Sequence, residues 1–243
     1  MTNLLIDADV ALYEVASACE TPIDWGDDRW TLHSDFKEAK QRFDCWVAKI
    51  KDRLDGSKIY LAFSSDDNWR KIILPTYKSN RKGKRKPLVF HELKAYAMTV
   101  YKSILIDTLE GDDVLGLLAG DSSIKGGKIV VSIDKDLKTI PGFHYNPMRH
   151  EEGVIEVSEE QADYNHLFQS LTGDAVDGYS GCPGVGPKKA EKIFETPSWE
   201  SVVSAYNKAG INEEDALVQA RVARILRHGE YDKIKKEPVL WNP

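Results

Sequence analysis

Four short apolar runs, separated by helical patterns, constrain the fold of this chain more than any other feature. The runs lie at 3–7, 58–64, 103–107 and 128–134, and helical periodicity covers about 10–19, 35–54 and 111–119. Runs that are apolar throughout indicate strands buried on both faces, and their alternation with helices predicts a mainly parallel sheet. A weaker strand pair around 143–157 closes this region. Residues 1–157 are therefore predicted to form an α/β domain.

The rest of the chain, 158–243, shows helical patterns and no strand. Ser158 stands three residues before Gln161, an arrangement that predicts the start of a helix, and Asn212 begins another one. The helix after Asn212 carries two rows, an apolar one of Val218, Val222 and Ile225 and a basic one of Arg221, Arg224 and Arg227. We therefore expect a helical region behind the α/β domain.

Cysteine usage and hydropathy narrow the class of protein. The three cysteines are widely spaced, with no Cys-x-x-Cys pair, which argues against a disulfide framework or a zinc finger. The first residues lack the basic start of a signal peptide, and no window approaches 18 apolar residues. These features predict a cytoplasmic protein with no membrane partner. The sequence gives no oligomer interface, so a monomer is the default expectation.

Acidic residues follow the ends of the predicted strands, where sheets of this class bind ligands. Asp7 ends the first strand, with Asp9 two residues later. Alternation along the fourth strand would put Asp134 and Asp136 on one side, and a spacing of three would put Asp174 and Asp177 on one helix face. Single acids at helix starts are explained by the helix dipole. A converging group instead favours Mg²⁺ or Mn²⁺ and two-metal hydrolysis of phosphate esters.

A basic segment, residues 78–86, contrasts with the net charge of −6. It follows "NWRKIILPTY", so that cations, with Trp69 and Tyr77 as possible stacking faces for bases, come directly after the second strand. A solvated surface or a localisation tag is the ordinary explanation of such a run. Beside a metal site, phosphate binding is the better interpretation.

Residues 173–190, "GDAVDGYSGCPGVGPKKA", come close to two nucleotide-binding motifs and match neither. Pro187 stands where a P-loop requires its lysine, and Lys189 takes the last glycine position of Gly-x-Gly-x-x-Gly. The better prediction is a glycine turn, residues 181–186, between two helices, with Pro187 as the first residue of the second. Such a turn exposes backbone N–H groups that can bind a DNA phosphate.

This stretch resembles the helix–three-turn–helix of the flap endonuclease and 5′-nuclease superfamily. "EGDDVLG", "SIDKDLKTI" and "PTYKSNR" resemble its other acidic blocks and its Tyr-Lys-x-x-Arg element, in the same order. The resemblance covers nearly the whole chain and is strongest to the short podovirus-type bacteriophage exonucleases. "AFSSDDNWRK", "HLFQSLTGDAVDGYSG", "ARILRHGEYD" and the terminal "LWNP" look like that branch.

The resemblance implies a PIN-like 5′-nuclease fold and a 5′→3′ exonuclease acting on duplex DNA in the host cytoplasm. It also implies flap endonuclease and RNase H-like activity, hence partners that are 5′ ends, flaps or RNA/DNA hybrids. Two Mg²⁺ or Mn²⁺ ions would serve cleavage, and a K⁺ ion would sit at the helix–three-turn–helix, about 170–195. The basic arch or gateway would span about 68–100.

Residue roles follow from the same resemblance. The implied metal ligands are Asp7, Glu110, Asp112, Asp113, Asp134, Asp136, Asp174 and Asp177. Lys78 and Arg81 are the implied catalytic cations. The predicted DNA-binding residues are Arg70, Lys71, Tyr77, Lys82, Gly184, Gly186, Lys188 and Lys189. Many relatives have Asp where this chain has Ser64, which leaves open whether Asp66, Asp67 or Asp9 joins the metals.

Two alternatives remain at this point. "LLIDADVAL" imitates the Asp-x-Asp strand end of haloacid-dehalogenase-like phosphatases, although Ala11 stands where that pattern has Thr or Val. The other alternative is a DNA-structure-binding protein that has lost catalysis. Metal-dependent hydrolysis of DNA distinguishes all three.

Overall fold

A central six-stranded sheet carries the first two thirds of the protein, for which the computed structural model describes residues 1–81 and 83–243. The strand order is β5-β4-β1-β6-β7-β8. The strands, in chain order, are β1 (Thr2–Asp7), β2 (Thr21–Asp24), β3 (Trp30–His33), β4 (Gly56–Phe63), β5 (Ser103–Leu105), β6 (Gly127–Val131), β7 (Gly142–Tyr145), β8 (Val154–Val157), β9 (Tyr231–Asp232) and β10 (Glu237–Pro238).

Parallel pairing dominates the sheet, as predicted. β1 lies between β4 and β6 and pairs with both in parallel, and only β8 joins antiparallel, through β7. Leu4, Leu5 and Ile6 of β1 are fully buried because helices cover both faces of the sheet. The helices are α1 (Ala8–Ala18), α2 (Phe36–Arg53), α3 (Arg70–Ile73), α4 (Phe90–Val100), α5 (Gly111–Ala119), α6 (Glu159–Thr172), α7 (Pro187–Ile193), α8 (Trp199–Lys208) and α9 (Glu213–Ala223).

Side-chain caps fix where several of these helices begin. Asp7 caps α1, and the Ser158 hydroxyl accepts the N–H of Gln161 at 3.1 Å to cap α6. Asn212 caps α9 by accepting the N–H of Asp215 at 2.8 Å. Each cap satisfies a backbone N–H that the first helical turn leaves without a partner. The predicted starts at Ser158 and Asn212 are confirmed.

The end of the chain differs from the prediction. A short antiparallel pair, β9 and β10, lies within a region predicted to hold no strand. Ile225 and Leu226 lie beyond the end of α9, in the core between the sheet and α5. Because α9 ends at Ala223, the predicted row of Arg221, Arg224 and Arg227 on one helix face is wrong, and Arg224 is buried and pairs with Glu230. A buried cation requires a partner, and the sequence pattern did not reveal that partner.

Two further elements were not predicted, the β2–β3 hairpin and α4. Trp25 and Trp30 of the hairpin are exposed. The hairpin therefore shows no hydrophobic pattern from which the pairing of its strands could be predicted. Within the described ranges, none of the helices has the length and apolar character needed to cross a bilayer.

Candidate metal and nucleic-acid site

The carboxyl end of β1 places the first carboxylate of the site at one edge of the sheet. Asp7, at the end of β1, is buried; its carboxylate accepts the N–H of Val10 at 3.3 Å and the hydroxyl of Ser132 at 2.8 Å. Burial, together with the nearby charges of Asp9 and Asp134, raises the pKa of Asp7 to about 7 despite those two hydrogen bonds. The site therefore disfavours a lone negative charge at this position.

Asp112 adds a second carboxylate from the first turn of α5. Burial and the charge of Asp7 raise the pKa of Asp112 above its ordinary value, although Lys78 opposes the shift. A carboxylate whose charge raises the pKa of its neighbour lies close enough to repel it, and a cation between the two would relieve the repulsion.

Asp134 and Asp136 also lie at this edge of the sheet, but the local structure that holds them differs from the predicted one. β6 ends at Val131, so the two acids do not alternate on a strand. Asp134 instead caps a short 3₁₀-helix, Lys135–Thr139, by accepting the N–H of Asp136 at 2.8 Å. Burial and the charge of Asp134 raise the pKa of Asp136 to about 6. The predicted proximity of the two acids holds, and the predicted strand geometry is wrong.

Asp174 and Asp177 lie on a tight turn and not on a helix face. α6 ends at Thr172, and the Asp174 carboxylate then accepts the backbone N–H groups of Val176 at 2.6 Å and Asp177 at 3.2 Å. We call residues 174–177 the acidic turn. An Asx-type turn competes with helix continuation, which explains the difference from the prediction.

Side chains of the basic segment and its flanks hold Glu110 and Asp177. Arg70 contacts Glu110 at 3.1 Å, and Lys78 contacts Glu110 at 2.5 Å and Asp177 at 3.3 Å. Burial would raise the pKa of Glu110, but the charges of Lys78 and Arg70 outweigh it and hold the pKa at about 2. Burial would likewise lower the pKa of Lys78, and Glu110 and Asp177 raise it instead. Glu110 therefore remains ionised through its protein partners.

Asp113 is a structural residue, and its prediction as a metal ligand is wrong. Its fully buried carboxylate accepts two hydrogen bonds from Arg70 at 2.7 Å, one from the Trp69 indole at 3.1 Å and one from the backbone N–H of Leu226 at 3.1 Å. Because the side chain is fully buried and both of its oxygens already accept hydrogen bonds, Asp113 is not available to a metal ion.

Two predicted DNA contacts are buried as well. The Arg70 guanidinium is 2% exposed, and it also donates to the carbonyls of Val222 and Arg224, at 2.9 and 2.6 Å. Tyr77 is 3% exposed, and its hydroxyl donates to Glu110 at 2.8 Å. Neither side chain can reach a nucleic acid, so both assignments are wrong, and the buried indole of Trp69 offers no stacking face either. Sequence patterns do not reveal which cations of a basic run are turned inward.

The basic segment is docked on the acidic turn by its backbone and its side chains. The N–H of Lys78 donates to the carbonyl of Asp177 at 2.7 Å, and the Asn80 amide donates to the carbonyls of Ala175 and Val176 at 3.2 Å. Arg81 pairs with the Asp177 carboxylate. Lys78 has a φ of 53°, a left-handed conformation that costs free energy for a lysine and is found at functional sites. Asn80 was missed in the sequence, where only its place within the basic run could have signalled it.

The remaining predicted DNA contacts have mixed outcomes. Lys71 is exposed, as are Gly184, Gly186, Lys188 and Lys189, so each stays a prediction. Lys82 lies outside the described residues. Pro187 begins α7 as predicted, and Gly184 has the positive φ, 71°, that glycine adopts without strain. Gly181 is required for a different reason, since a Cβ there would lie 2.3 Å from the backbone nitrogen of Gly173.

The position occupied by Ser64 is linked to Asp9. The Ser64 N–H donates to Asp9 at 2.6 Å, and the Ser64 hydroxyl accepts the N–H of Gly111 at 2.9 Å. Lys94 approaches Asp9 at 3.5 Å. Asp66 and Asp67 are exposed. A groove of about 880 Å³ opens beside these groups, between α1 and α4, and reaches Glu110 and Arg81.

The chemistry of the donors fits a hard divalent cation. Asp7, Asp112, Asp134 and Asp136, which we call the strand-end carboxylates, form no ion pair with any residue of 1–81 or 83–243. They offer only oxygen ligands, and three of them have raised pKa values. Across the described residues, no three His, Cys, Asp or Glu side chains are gathered in the arrangement of a formed metal site. Side-chain rotation would have to complete the coordination.

Comparison with known proteins finds relatives along the whole length. The chain is 32% identical to the exonuclease of Escherichia phage T7 over 99% of this chain and 93% of that protein. It is 33% identical to the exodeoxyribonuclease of Enterobacteria phage T3, over 99% and 92%. The flap endonuclease Xni of Shewanella halifaxensis is 30% identical over 77% and 79%. No protein-family model matches the sequence.

Solved structures share the fold at lower identity. A structure of the T5 5′-exonuclease with divalent zinc ions has a TM-score of 0.71 at 13% identity, covering 92% of this chain and 89% of that one. The catalytic core of Rad2 in complex with DNA substrate has a TM-score of 0.54 at 15% identity, covering 86% and 64%. The predicted fold, a mainly parallel sheet with flanking helices, is confirmed.

Proposed function

The chain belongs to the family of the T7 and T3 phage exonucleases, and from that membership we propose that it is a divalent-metal-dependent nuclease that degrades DNA from 5′ ends. The observation that carries the proposal is the arrangement at the sheet edge. Carboxylates that have no ion-pair partner among residues 1–81 and 83–243 lie beside cations, Lys78 and Arg81, that the acidic turn holds in place. A polyanion cleaved with the help of metal ions requires both charges within one site.

The proposed metal ligands are the strand-end carboxylates together with Asp174. Glu110 and Asp177 stay predicted ligands, and they would have to exchange their present partners, Arg70, Lys78 and Arg81, for a metal ion. Bound Mg²⁺ or Mn²⁺, in two positions, would supply Lewis-acid stabilisation of the phosphate and of the attacking water. Asp7 and Asp136, whose pKa values are raised to about 7 and 6, would give up their protons as the cations bind. The metal-binding state is therefore favoured at neutral pH and above.

Lys78 and Arg81 are proposed to contact the phosphate that is cleaved. Lys78 is mostly buried between Glu110 and Asp177, which keeps its ammonium protonated and fixes its position. Arg81 is half exposed and can present its N–H groups to a phosphate. Preorganised cations stabilise the charge that develops during phosphoryl transfer without further reorganisation.

The α/β domain and the helical region are proposed to have separate roles in cleavage and in DNA binding. Residues 1–157 would carry cleavage, with 68–100 as the arch or gateway, and residues 158–243 would hold the duplex through the glycine turn and Lys188. A K⁺ ion at that turn, cleavage of flaps and of RNA in RNA/DNA hybrids, a monomeric state and a cytoplasmic location complete the proposal.

A duplex carrying a label at one 5′ end or at one 3′ end tests the activity and its direction. We expect early release of the 5′ label with Mg²⁺ or Mn²⁺ and none with EDTA. First release of the 3′ label would overturn the polarity, and cleavage that survives EDTA would overturn the metal requirement. Binding of the duplex without hydrolysis under any divalent cation would favour the lapsed DNA-binding protein. A phosphatase of the haloacid-dehalogenase type would instead hydrolyse a small phosphate ester and leave the duplex intact.

A further inference from the structure

The basic segment is anchored near both of its ends, and Glu20 provides the second anchor. Glu20 lies just beyond the end of α1, and its carboxylate accepts two hydrogen bonds from the Arg85 guanidinium, at 2.5 and 2.8 Å. The backbone N–H of Leu88 donates to the same carboxylate at 2.8 Å. We call Glu20, Arg85 and Leu88 the α1 clamp. One acidic side chain thereby holds both a side chain and the backbone where the basic segment ends.

The α1 clamp has the geometry of a specific ion pair. Two guanidinium N–H groups face the two oxygens of one carboxylate, a bidentate arrangement that a lysine cannot form. The Glu20 side chain is only 12% exposed, whereas that of Arg85 is 55% exposed. The hydrogen bonds from Arg85 lower the pKa of Glu20, so the pair stays charged at neutral pH. Arg85 is thus committed to a partner within the protein.

The α1 clamp and the acidic turn together restrain the stretch of chain that carries Arg81. Asp177 holds Arg81 itself. Arg85 follows four residues later, a separation that an extended chain spans in at most about 14 Å. Arg81 and Lys86 both line the groove of about 880 Å³ between α1 and α4 that reaches Glu110. The clamp therefore helps to fix where these two cations lie at the groove.

We propose that Glu20 is a positioning residue for cleavage, which acts through Arg85 to hold Arg81 and Lys86 at the groove. The inference rests on the proposed nuclease function and extends it, because it assigns Arg85 to the protein and not to the phosphate backbone. A guanidinium whose N–H groups are bound to a carboxylate has fewer donors left for a phosphate oxygen.

The proposal separates DNA binding from cleavage. Cations fixed before the substrate arrives stabilise developing charge without reorganisation, and a displacement of about 1 Å can cost on the order of 100-fold in rate. Loss of the Glu20 charge should therefore misplace the cations that serve cleavage. The same change should release Arg85 to bind DNA.

Three variants distinguish this role from a direct contact with DNA. Glu20→Gln removes the negative charge but keeps an oxygen for the N–H of Leu88, Arg85→Ala removes the cation, and the double variant removes both. The matched control is Glu38→Gln, which breaks an exposed pair with Arg42 on α2. For each protein, the cleavage rate at saturating duplex is measured in Mg²⁺, and duplex binding is measured in Ca²⁺ against KCl concentration. Thermal unfolding is followed in parallel.

We expect Glu20→Gln to cleave about 10-fold more slowly at saturation, to bind the duplex more tightly, and to steepen the slope of log K against log salt by about 1. Arg85→Ala should cleave equally slowly, with the affinity and the salt slope of the wild type. The double variant should cleave no more slowly than either single variant, because both changes break the same contact. Melting temperatures should stay within about 4 °C of the wild type, since exposed ion pairs contribute little to stability. Glu38→Gln should match the wild type in cleavage and in binding.

Wild-type cleavage by Glu20→Gln would overturn the inference and leave the nuclease function standing. A loss of about 1 from the salt slope in Arg85→Ala would show that Arg85 binds phosphate, and would overturn the positioning role. If the rate, the affinity and the melting temperature of Glu20→Gln all fall, the clamp is only structural and the inference fails. If the wild type cleaves no duplex with any divalent cation, the proposed function fails, and the inference fails with it.

Discussion

Two sets of carboxylates share one edge of the sheet and differ in what surrounds them. The strand-end carboxylates have no ion-pair partner among the described residues, and burial and mutual charge raise the pKa of Asp7 to about 7. Glu110, Asp113 and Asp177 are paired with Arg70, Lys78 or Arg81, and the pKa of Glu110 is held at about 2. The strand-end carboxylates are unfavourable as charged groups until a cation binds, whereas Glu110, Asp113 and Asp177 already have cationic partners. The difference teaches that acidity alone does not identify a metal ligand.

Asp112→Asn is the sharpest test of the first set. Removing one repelling charge should leave the melting temperature equal or higher, while cleavage should fall by at least ~1,000-fold because a ligand for the divalent cation is lost. Initial cleavage rates in Mg²⁺ and thermal unfolding in EDTA measure the two effects. Asp28→Asn, at an exposed position of the β2–β3 turn, should change neither. Near-wild-type cleavage by Asp112→Asn would place Asp112 outside the metal site.

Asp113→Asn, one residue further along α5, should lower stability and largely spare cleavage, which is the opposite of the effect expected for Asp112→Asn. The substitution leaves the buried Arg70 without its main carboxylate, which should lower the free energy of unfolding by about 3–5 kcal/mol. Thermal unfolding should fall by roughly 6–20 °C, and cleavage at low temperature should largely remain. A stable Asp113→Asn protein that does not cleave would reverse the roles given to the two neighbouring residues.

Lys78→Ala tests whether the cations that pair with Glu110 and Asp177 contribute to catalysis. We expect a ~10- to 100-fold lower cleavage rate at saturating DNA, since one preorganised positive charge is removed from the phosphate. Lys84→Ala removes an exposed charge from the same basic segment and should leave the rate unchanged. If both variants lose the same activity, the segment acts by its overall charge and not through the docked position of Lys78.

The smallest expected effect is a pH dependence of stability in the metal-free protein. The folded pKa of Asp7 is raised to about 7, so its contribution to stability is present at low pH and is lost as the pH rises through 7. Between pH 5 and pH 8, the wild type should lose about 2 kcal/mol relative to Asp7→Asn in chemical unfolding with EDTA. Saturating Mg²⁺ should remove much of that loss. A parallel pH profile for the two proteins would show that Asp7 is not the destabilising group.

Features that depend on local patterns could be predicted from the sequence. Continuous apolar runs predicted the parallel strands, and the caps at Ser158 and Asn212 marked their helices, because hydrophobic burial and the first helical turn act over a few residues. The docking of Lys78 on Asp177 joins residues 99 positions apart, and no periodicity signals it. Arg70 and Tyr77 could not be assigned to the interior, since the same residue types suit a DNA-binding surface. The acidic turn was mistaken for a helix because a spacing of three is shared by both structures.

The bonds of Arg70 to the carbonyls of Val222 and Arg224 have a consequence for how the molecule unfolds. They join α3, next to the carboxylates at the sheet edge, to the end of α9 in the helical region, and Asp113 accepts the N–H of Leu226 in the same cluster. A chain cut at residue 157 would leave a buried guanidinium short of acceptors, at a cost that an isolated α/β fragment is poorly placed to bear. The α/β domain and the helical region are therefore expected to unfold in one cooperative step. Unfolding of the helical region would therefore also disrupt the buried Arg70–Asp113 cluster beside the carboxylates.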